Sequence, residues 1–179
     1  MGDQLNRLLE GNERFLEEKP RLDFSPDQRK AKTELGQHPY AIIVCCSDAR
    51  VCPEVIFDAT IGDLFVIRVA GNVISDAELA SIEYAAEHLG VSFAMVLGHT
   101  QCGAIHSAIS GESGRYVPAI LDKVKTAIAG ISDEREASKA NAQHWATYIQ
   151  DRFPHLEVVP GLYEIDTGFV KIIRQSQSR

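Results

Sequence analysis

Three of the chain's four cysteines fall in one stretch, VCCSDARVCPE from Val44 to Glu54, beside an aspartate and an arginine. Thiols this dense are structural, redox-active or metal-binding, and the stretch alone does not decide among the three. A second stretch, LGHTQCGA from Leu97 to Ala104, brings a histidine and the fourth cysteine three residues apart. Cys46 ends one short apolar run and His99 ends a later one, while Cys102 stands where a helix begins. In open α/β sheets, sites form beyond the carboxyl ends of the strands, so Cys46, His99 and Cys102 belong at the same end of such a sheet. Two thiolates and one imidazole suit zinc, and three protein ligands leave the fourth tetrahedral position open, as a catalytic site requires. H-x-x-C spacing by itself is a weak signal. A strand-terminal cysteine followed by Asp48 and Arg50 strengthens it, because these two, with only Ala49 between, can join in a charge-assisted hydrogen bond. An ionised Asp48 beside a metal can orient a hydroxide. The plain alternative is a loop ion pair of little worth.

The elements that must hold these residues are readable from periodicity. Leu5, Leu8, Leu9, Asn12, Phe15 and Leu16 recur at helical spacing, Pro20 ends that helix, and RLDFSPDQ reads as an extended arm with Ser25 capping a second helix from Pro26. YAIIVCC and DLFVIRVA are short β-branched strands separated by the Gly62-Asp63 turn. SDAELASIEYAAEHLG is a helix capped by Ser75, with Leu79, Ile82, Ala86 and Leu89 as its buried stripe. SFAMVLG is a third strand, a helix follows from about Cys102, and two more lie near 117–129 and 134–153. LEVVPGLYEIDTGFVKII closes the chain as two strands around the Thr167-Gly168 turn. This alternation predicts an α/β fold: a mostly parallel central sheet with helices on both faces, an antiparallel edge strand near the C-terminus and an N-terminal helical arm. We expect residues 1–36 to form that arm, lying on a partner subunit, and residues 37–179 to form the zinc-binding α/β domain.

Composition excludes several classes. The 179 residues are 45% hydrophobic and 24% charged, the profile of one globular unit. A formal charge of −7 with scattered basic residues argues against nucleic acid as a partner. The N-terminal stretch lacks a signal-peptide core and does not fit the myristoylation pattern. No apolar run approaches the ~20 residues that span a bilayer, so no membrane partner and a cytoplasmic location are expected. Four cysteines in a reducing compartment then point to metal or catalysis before disulfides.

CSDARV with the following PE, GDLFVIRVAGN and GHTQCG together resemble the β-class carbonic anhydrases. LLEGNERF is similar to that family's amino-terminal helix and GLYEIDTG to its late hairpin. The resemblance implies one zinc ion per chain and reversible hydration of carbon dioxide to bicarbonate and a proton by a zinc-bound hydroxide. It also implies a homodimer or dimer of dimers whose subunits exchange amino-terminal helices. Residue by residue, Cys46, His99 and Cys102 match the metal ligands and Asp48 and Arg50 the family's Asp–Arg dyad. Gln37 matches a substrate-binding glutamine, Phe65 and Tyr84 match aromatics lining the pocket, and Gly103 matches the glycine after the second cysteine ligand. Released by Arg50, Asp48 would be close enough to become a fourth ligand and shut the site, as in some members. Two positions depart from the pattern. Val69 stands where an asparagine is usual. Ile43 replaces the tryptophan of members with an inhibitory bicarbonate site, although Arg68 and Tyr163 match its other two residues, so that site is expected to be absent.

The remaining residues read as packing. Cys45 points to the opposite face from Cys46 and is a small core hydrophobe, Cys52 packs in a loop-to-helix turn, and Trp145 is a packing anchor. His106, four residues past Cys102, is the rival ligand, whereas His38, His88, His144 and His155 have no constellation around them. Three other functions fit less of the sequence. A carbon disulfide or carbonyl sulfide hydrolase would share the metal motif. A catalytically silent zinc protein would not need Asp48, Arg50 and Gln37. A thiol redox protein lacks C-x-x-C.

Overall fold

The computed structural model describes residues 2–21, 25–112, 114–115 and 117–174. The extended arm expected around Leu22–Phe24 and the polar tail after Arg174 lie outside the described residues. The apolar runs form strands β1 (Ala41–Cys45), β2 (Leu64–Arg68), β3 (Phe93–His99), β4 (Glu157–Tyr163) and β5 (Val170–Ile172). They make one sheet in the order β2-β1-β3-β4-β5, parallel throughout except for the antiparallel β4–β5 pair. Around it lie α1 (Asp3–Leu16), α2 (Pro26–Leu35), α3 (Pro53–Ile56), α4 (Asp76–Glu83), α5 (Gly103–Ser110), α6 (Pro118–Ile128) and α7 (Glu134–Arg152).

Side chains alternate across a strand, and here both faces are covered. Ile42, Val44, Ala94 and Val96 join one apolar cluster with residues of α4 to α7. Ala41, Ile43, Cys45, Phe93, Met95 and Leu97 join a second with Leu5 and Leu8 of α1 and Ile56 of α3. Helix starts follow local chemistry. Ser25 accepts from the Gln28 N–H at 3.3 Å, the Ser75 N–H donates to Glu78 at 2.8 Å in a capping box, and Asp133 accepts from the Glu136 N–H at 2.8 Å.

Two details depart from the sequence reading. After Glu83 the fourth helix widens into a π turn over Tyr84–His88. The expected stripe still faces the core, with Ile82 buried and Leu79, Ala86 and Leu89 half-buried on the same cluster, and Ala85 is buried beside them. The expected arm also divides. Helix α1 packs on its own chain, where buried Asn12 donates to the Ile56 and Gly168 carbonyls at 3.1 and 2.9 Å and accepts from the Val170 N–H at 2.9 Å. Helix α2 buries no residue in the chain, and Leu35 at its end is 71% exposed.

Candidate metal centre

The strand order changes direction between β1 and β3, the switch point at which α/β sheets open a crevice. Cys46 follows directly on β1, His99 is the last residue of β3, and Cys102 is the residue before α5. Their ligand atoms all lie within 4.8 Å of one another, and the three residues are no more than 4% exposed.

Each ligand atom is prepared by its surroundings. His99 Nδ1 lies 2.9 Å from the Thr100 carbonyl. A carbonyl can only accept, so Nδ1 carries the proton and Nε2 presents a lone pair. That Nε2 is buried and has no hydrogen-bond partner among the described residues, a costly state for a polar atom unless something binds it. Thr100 is held in turn, its N–H donating to the Tyr163 carbonyl at 3.0 Å and its Oγ1 accepting from the Ile165 N–H at 3.1 Å. The two thiols titrate in opposite directions. Cys46 is drawn down, foremost by a hydrogen bond from Cys102 and also by the backbone N–H groups of Asp48 and Gly71, against its burial. Cys102 is pushed up by sharing that proton and by burial, while the Ala104 and Ile105 N–H groups at the start of α5 favour its thiolate. A divalent cation relieves the repulsion that keeps the second proton in place. Two thiolates, one bare imidazole nitrogen and the hydrogen bonds that orient them fit a zinc ion.

Asp48 and Arg50 stand beside this group as a bidentate pair. Arg50 Nε and its backbone N–H each reach Asp48 Oδ1 at 2.9 Å, and Nη2 reaches Oδ2 at 2.7 Å. Nη2 also donates to the Gln101 carbonyl at 3.1 Å, tying the Cys46 loop to the loop between His99 and Cys102. The Arg50 side-chain hydrogen bond holds the Asp48 carboxyl well below the usual carboxylate range, against partial desolvation. Arg68 braces the same loop from below, donating to the Cys46 carbonyl at 3.3 Å and the Asp48 carbonyl at 2.7 Å. That bracing was not legible in the motif.

The other candidates are dispersed. Phe65 is half-buried on the edge strand β2 against the cluster that contains Cys46 and Cys102, and its ring centroid is 6.4 Å from that of Tyr84, which is 46% exposed. Gln37 is exposed between α2 and β1. Gly103 is exposed at the start of α5, where a Cβ would meet nothing within 4 Å, so nothing in the chain itself demands glycine there. His106 is exposed and pairs through Nδ1 with Glu134 at 2.7 Å, outside the metal cluster. Cys45 is buried on the opposite face, and burial pushes its thiol up to about 12. Cys52 is half-buried before α3, with Sγ 3.9 Å from Glu54.

Two residues at the centre escaped the motif reading. Gly71 donates its N–H to Cys46 Sγ at 3.3 Å, and Asn141 on α7 donates to the Gly71 carbonyl at 2.7 Å. A polar residue on the inner stripe of the seventh helix, with Trp145 one turn later, was the available signal.

Residues 41–170 match the family model described as carbonic anhydrase. The chain is 41% identical over 126 residues to Carbonic anhydrase 2 of Mycobacterium tuberculosis, covering 68% of this chain and 61% of that protein. It is 39% identical over 146 residues to a carbonic anhydrase of Mycolicibacterium smegmatis, covering 75% and 71%. The match thus spans about three fifths of the length of the M. tuberculosis relative. Among solved structures, the β-carbonic anhydrase CcaA superposes with a TM-score of 0.70 at 27% identity, over 98% of this chain and 94% of that one. A tetrameric β-carbonic anhydrase of Sordaria macrospora has the same fold, with a TM-score of 0.69 at 24% identity over 99% and 100%.

Proposed function

The chain belongs to the β-class carbonic anhydrase family, and from that premise we propose that it catalyses the reversible hydration of carbon dioxide to bicarbonate and a proton. The observation that carries the reading is the buried Cys46–His99–Cys102 cluster with its unpartnered imidazole nitrogen, beside an ionised Asp48. Zinc, when bound there, supplies Lewis acidity that brings a coordinated water's pKa toward neutrality, less strongly than with three neutral histidines because two thiolates offset its charge.

The chain's own residues do the rest. Asp48, with both oxygens engaged by Arg50, cannot turn away and stays charged, so it accepts a hydrogen bond from the attacking water and aims its lone pair at the carbon. The same bidentate grip favours an open site, because Asp48 would have to leave Arg50 to act as a ligand. Gln37 hydrogen-bonds the oxygens that become bicarbonate. Phe65 and Tyr84 give the apolar wall that a small nonpolar substrate needs, and Gly103 leaves room beside Cys102. The product proton leaves to solvent buffer.

The active form is a homodimer or a dimer of dimers. The half-covered edge strand β2, the exposed Tyr84 and an α2 with no buried residue support a partner subunit on that side. A cytoplasmic location is supported by the four free cysteines; among the described residues no helix is long and apolar enough to cross a membrane.

Stopped-flow carbon dioxide hydration on metal-assayed protein tests the proposal, wild type beside Cys102→Ala. Fast hydration with one zinc per chain, both lost in the variant, is the expected result. Stoichiometric zinc without hydration overturns it.

A further inference from the structure

Helix α7 crosses the sheet face that carries Cys46 and Cys102, and one buried carboxamide sits in its middle. Asn141 is 0% exposed. Its Nδ2 donates to the Gly71 carbonyl at 2.7 Å, and one turn later Trp145 Nε1 donates to its Oδ1 at 3.1 Å. An indole nitrogen can only donate. The oxygen of Asn141 must therefore face Trp145, and the amide nitrogen is left to face Gly71. Trp145 is itself fixed. Its ring meets Tyr148 edge-on at 5.2 Å, and the Lys123 ammonium lies 5.6 Å from its centroid while donating to the Ile74 carbonyl at 2.9 Å.

The helix reaches this far because the strand beneath it is bare at Gly98, where a Cβ would come within 3.0 Å of the Ser138 carbonyl and 3.2 Å of the Ala142 Cβ. At the other end, Gly71 has φ 68° and ψ 14°, inside the turn 70–72 that follows β2. Glycine has the widest backbone freedom of any residue, yet this one is tied on both sides of its Cα. Its N–H donates to Cys46 Sγ at 3.3 Å and its carbonyl accepts from Asn141.

We propose that Asn141, oriented by Trp145, is a positioning residue for the metal thiolate: it pins the 70–72 turn so that the Gly71 N–H stays on Cys46 Sγ. The inference rests on the zinc reading of the Cys46–His99–Cys102 cluster. An N–H directed at a thiolate lowers the energy of the sulfur's donor electrons, which sets the charge-transfer band, and it fixes the position of the sulfur and the direction of its remaining lone pairs, which sets the affinity. Outer contacts of this kind are worth about 10–100-fold in metal affinity.

Cobalt-substituted and zinc-loaded protein test it, with Asn141→Leu and Trp145→Phe compared against Ile149→Ala, a fully buried control on the same helix. In Asn141→Leu the thiolate-to-cobalt charge-transfer band moves to lower energy, and zinc affinity against a chromophoric chelator falls by about 10-fold or more. Trp145→Phe, which keeps the carboxamide but releases its orientation, moves both readouts the same way by less. Ile149→Ala lowers the urea midpoint and leaves band and affinity in place. A band and affinity in Asn141→Leu no different from the control overturn the proposal. Should that variant not fold, Trp145→Phe decides, and an unmoved band there overturns it. Wild-type protein that takes up neither zinc nor cobalt overturns the metal reading itself, and this inference with it.

Discussion

Replacing Gly71 by alanine adds a methyl group where two costs coincide. At φ +68 the residue lies in the left-handed region, and a Cβ there would sit 3.0 Å from Val124 Cγ2 and 3.2 Å from the Ala104 Cβ. The backbone term is about 1 kcal/mol, and forcing a methyl into contacts this short costs about 1–3 kcal/mol. The chain contains a control for each term. Gly111 has φ +77 and ψ +27, the same left-handed region, with nothing within 4 Å of a Cβ, so Gly111→Ala measures the backbone alone. Gly98 has no positive φ but meets neighbours at 3.0 and 3.2 Å, so Gly98→Ala measures the crowding alone. With additive terms, Gly71→Ala loses about 2–4 kcal/mol, close to the sum of the other two. Urea unfolding of the metal-free variants measures all three. A Gly71→Ala cost no larger than that of Gly111→Ala would refute the packing of α5 and α6 against this turn, and with it the account of how the Gly71 N–H is delivered to Cys46.

Asn12→Ala removes three buried hydrogen bonds between α1 and the body of its own chain; at about 1 kcal/mol net each it costs about 3 kcal/mol in urea unfolding, and a loss under about 1 kcal/mol would mean α1 is not seated there. Asp48 has a folded-state pKa depressed by Arg50, so its stabilising charge is present above the unfolded value of about 3.9 and is lost only as pH falls through the lower folded value. Its carboxyl carbon resonance therefore stays constant from neutral pH down to about pH 5, and a titration inside that window would contradict the Arg50 pairing. Cys45, raised to about 12 by burial, is thiolate in only about one molecule in ten thousand at pH 8. In metal-stripped native protein, iodoacetamide followed by peptide mass mapping labels Cys46 before Cys45, and the reverse order would undo the assignment of the two thiols to opposite faces.

What the sequence disclosed was whatever is local or set by a strand's end. Asp48 and Arg50 pair across two residues, which a reader of the chain can foresee, and Cys46 and His99 are fixed by the rule that sites lie beyond carboxyl ends. Alternation separated Cys45 from Cys46 without any coordinates. The π turn at Tyr84 was not foreseeable from periodicity, because the expected stripe still packs on the core and the widened turn only adds Ala85 to it. The partners of Thr100 and Asn141 were hidden for a different reason. Ile165 and Gly71 lie 65 and 70 residues away from them, and a hydrogen bond across that span leaves no spacing to read.

These long-range contacts follow from the topology that makes the site. The chain leaves β1, returns as β2 on its outer side, and then must cross back to build β3 on the other. It does so over the end of β1, where the Val69 N–H donates to the Cys45 carbonyl at 3.0 Å. The 70–72 turn is consequently laid against Cys46 by the crossing itself, and only a glycine fits between Val124 and Ala104 with its N–H on the sulfur. The same crossing brings Arg68 under the Cys46–Asp48 backbone. One connection thus supplies a donor to the first thiolate and a brace to the loop that carries Asp48. Helix α7, admitted by Gly98, closes over the turn from the far end of the chain. Loosening the turn therefore perturbs the Cys46 sulfur directly, whereas loosening Arg50 releases the carboxylate and the Gln101 carbonyl but leaves the Gly71 N–H on Cys46. A change at Asn141 that moves the thiolate-to-cobalt band and an Arg50 substitution that leaves the band in place would separate the two supports.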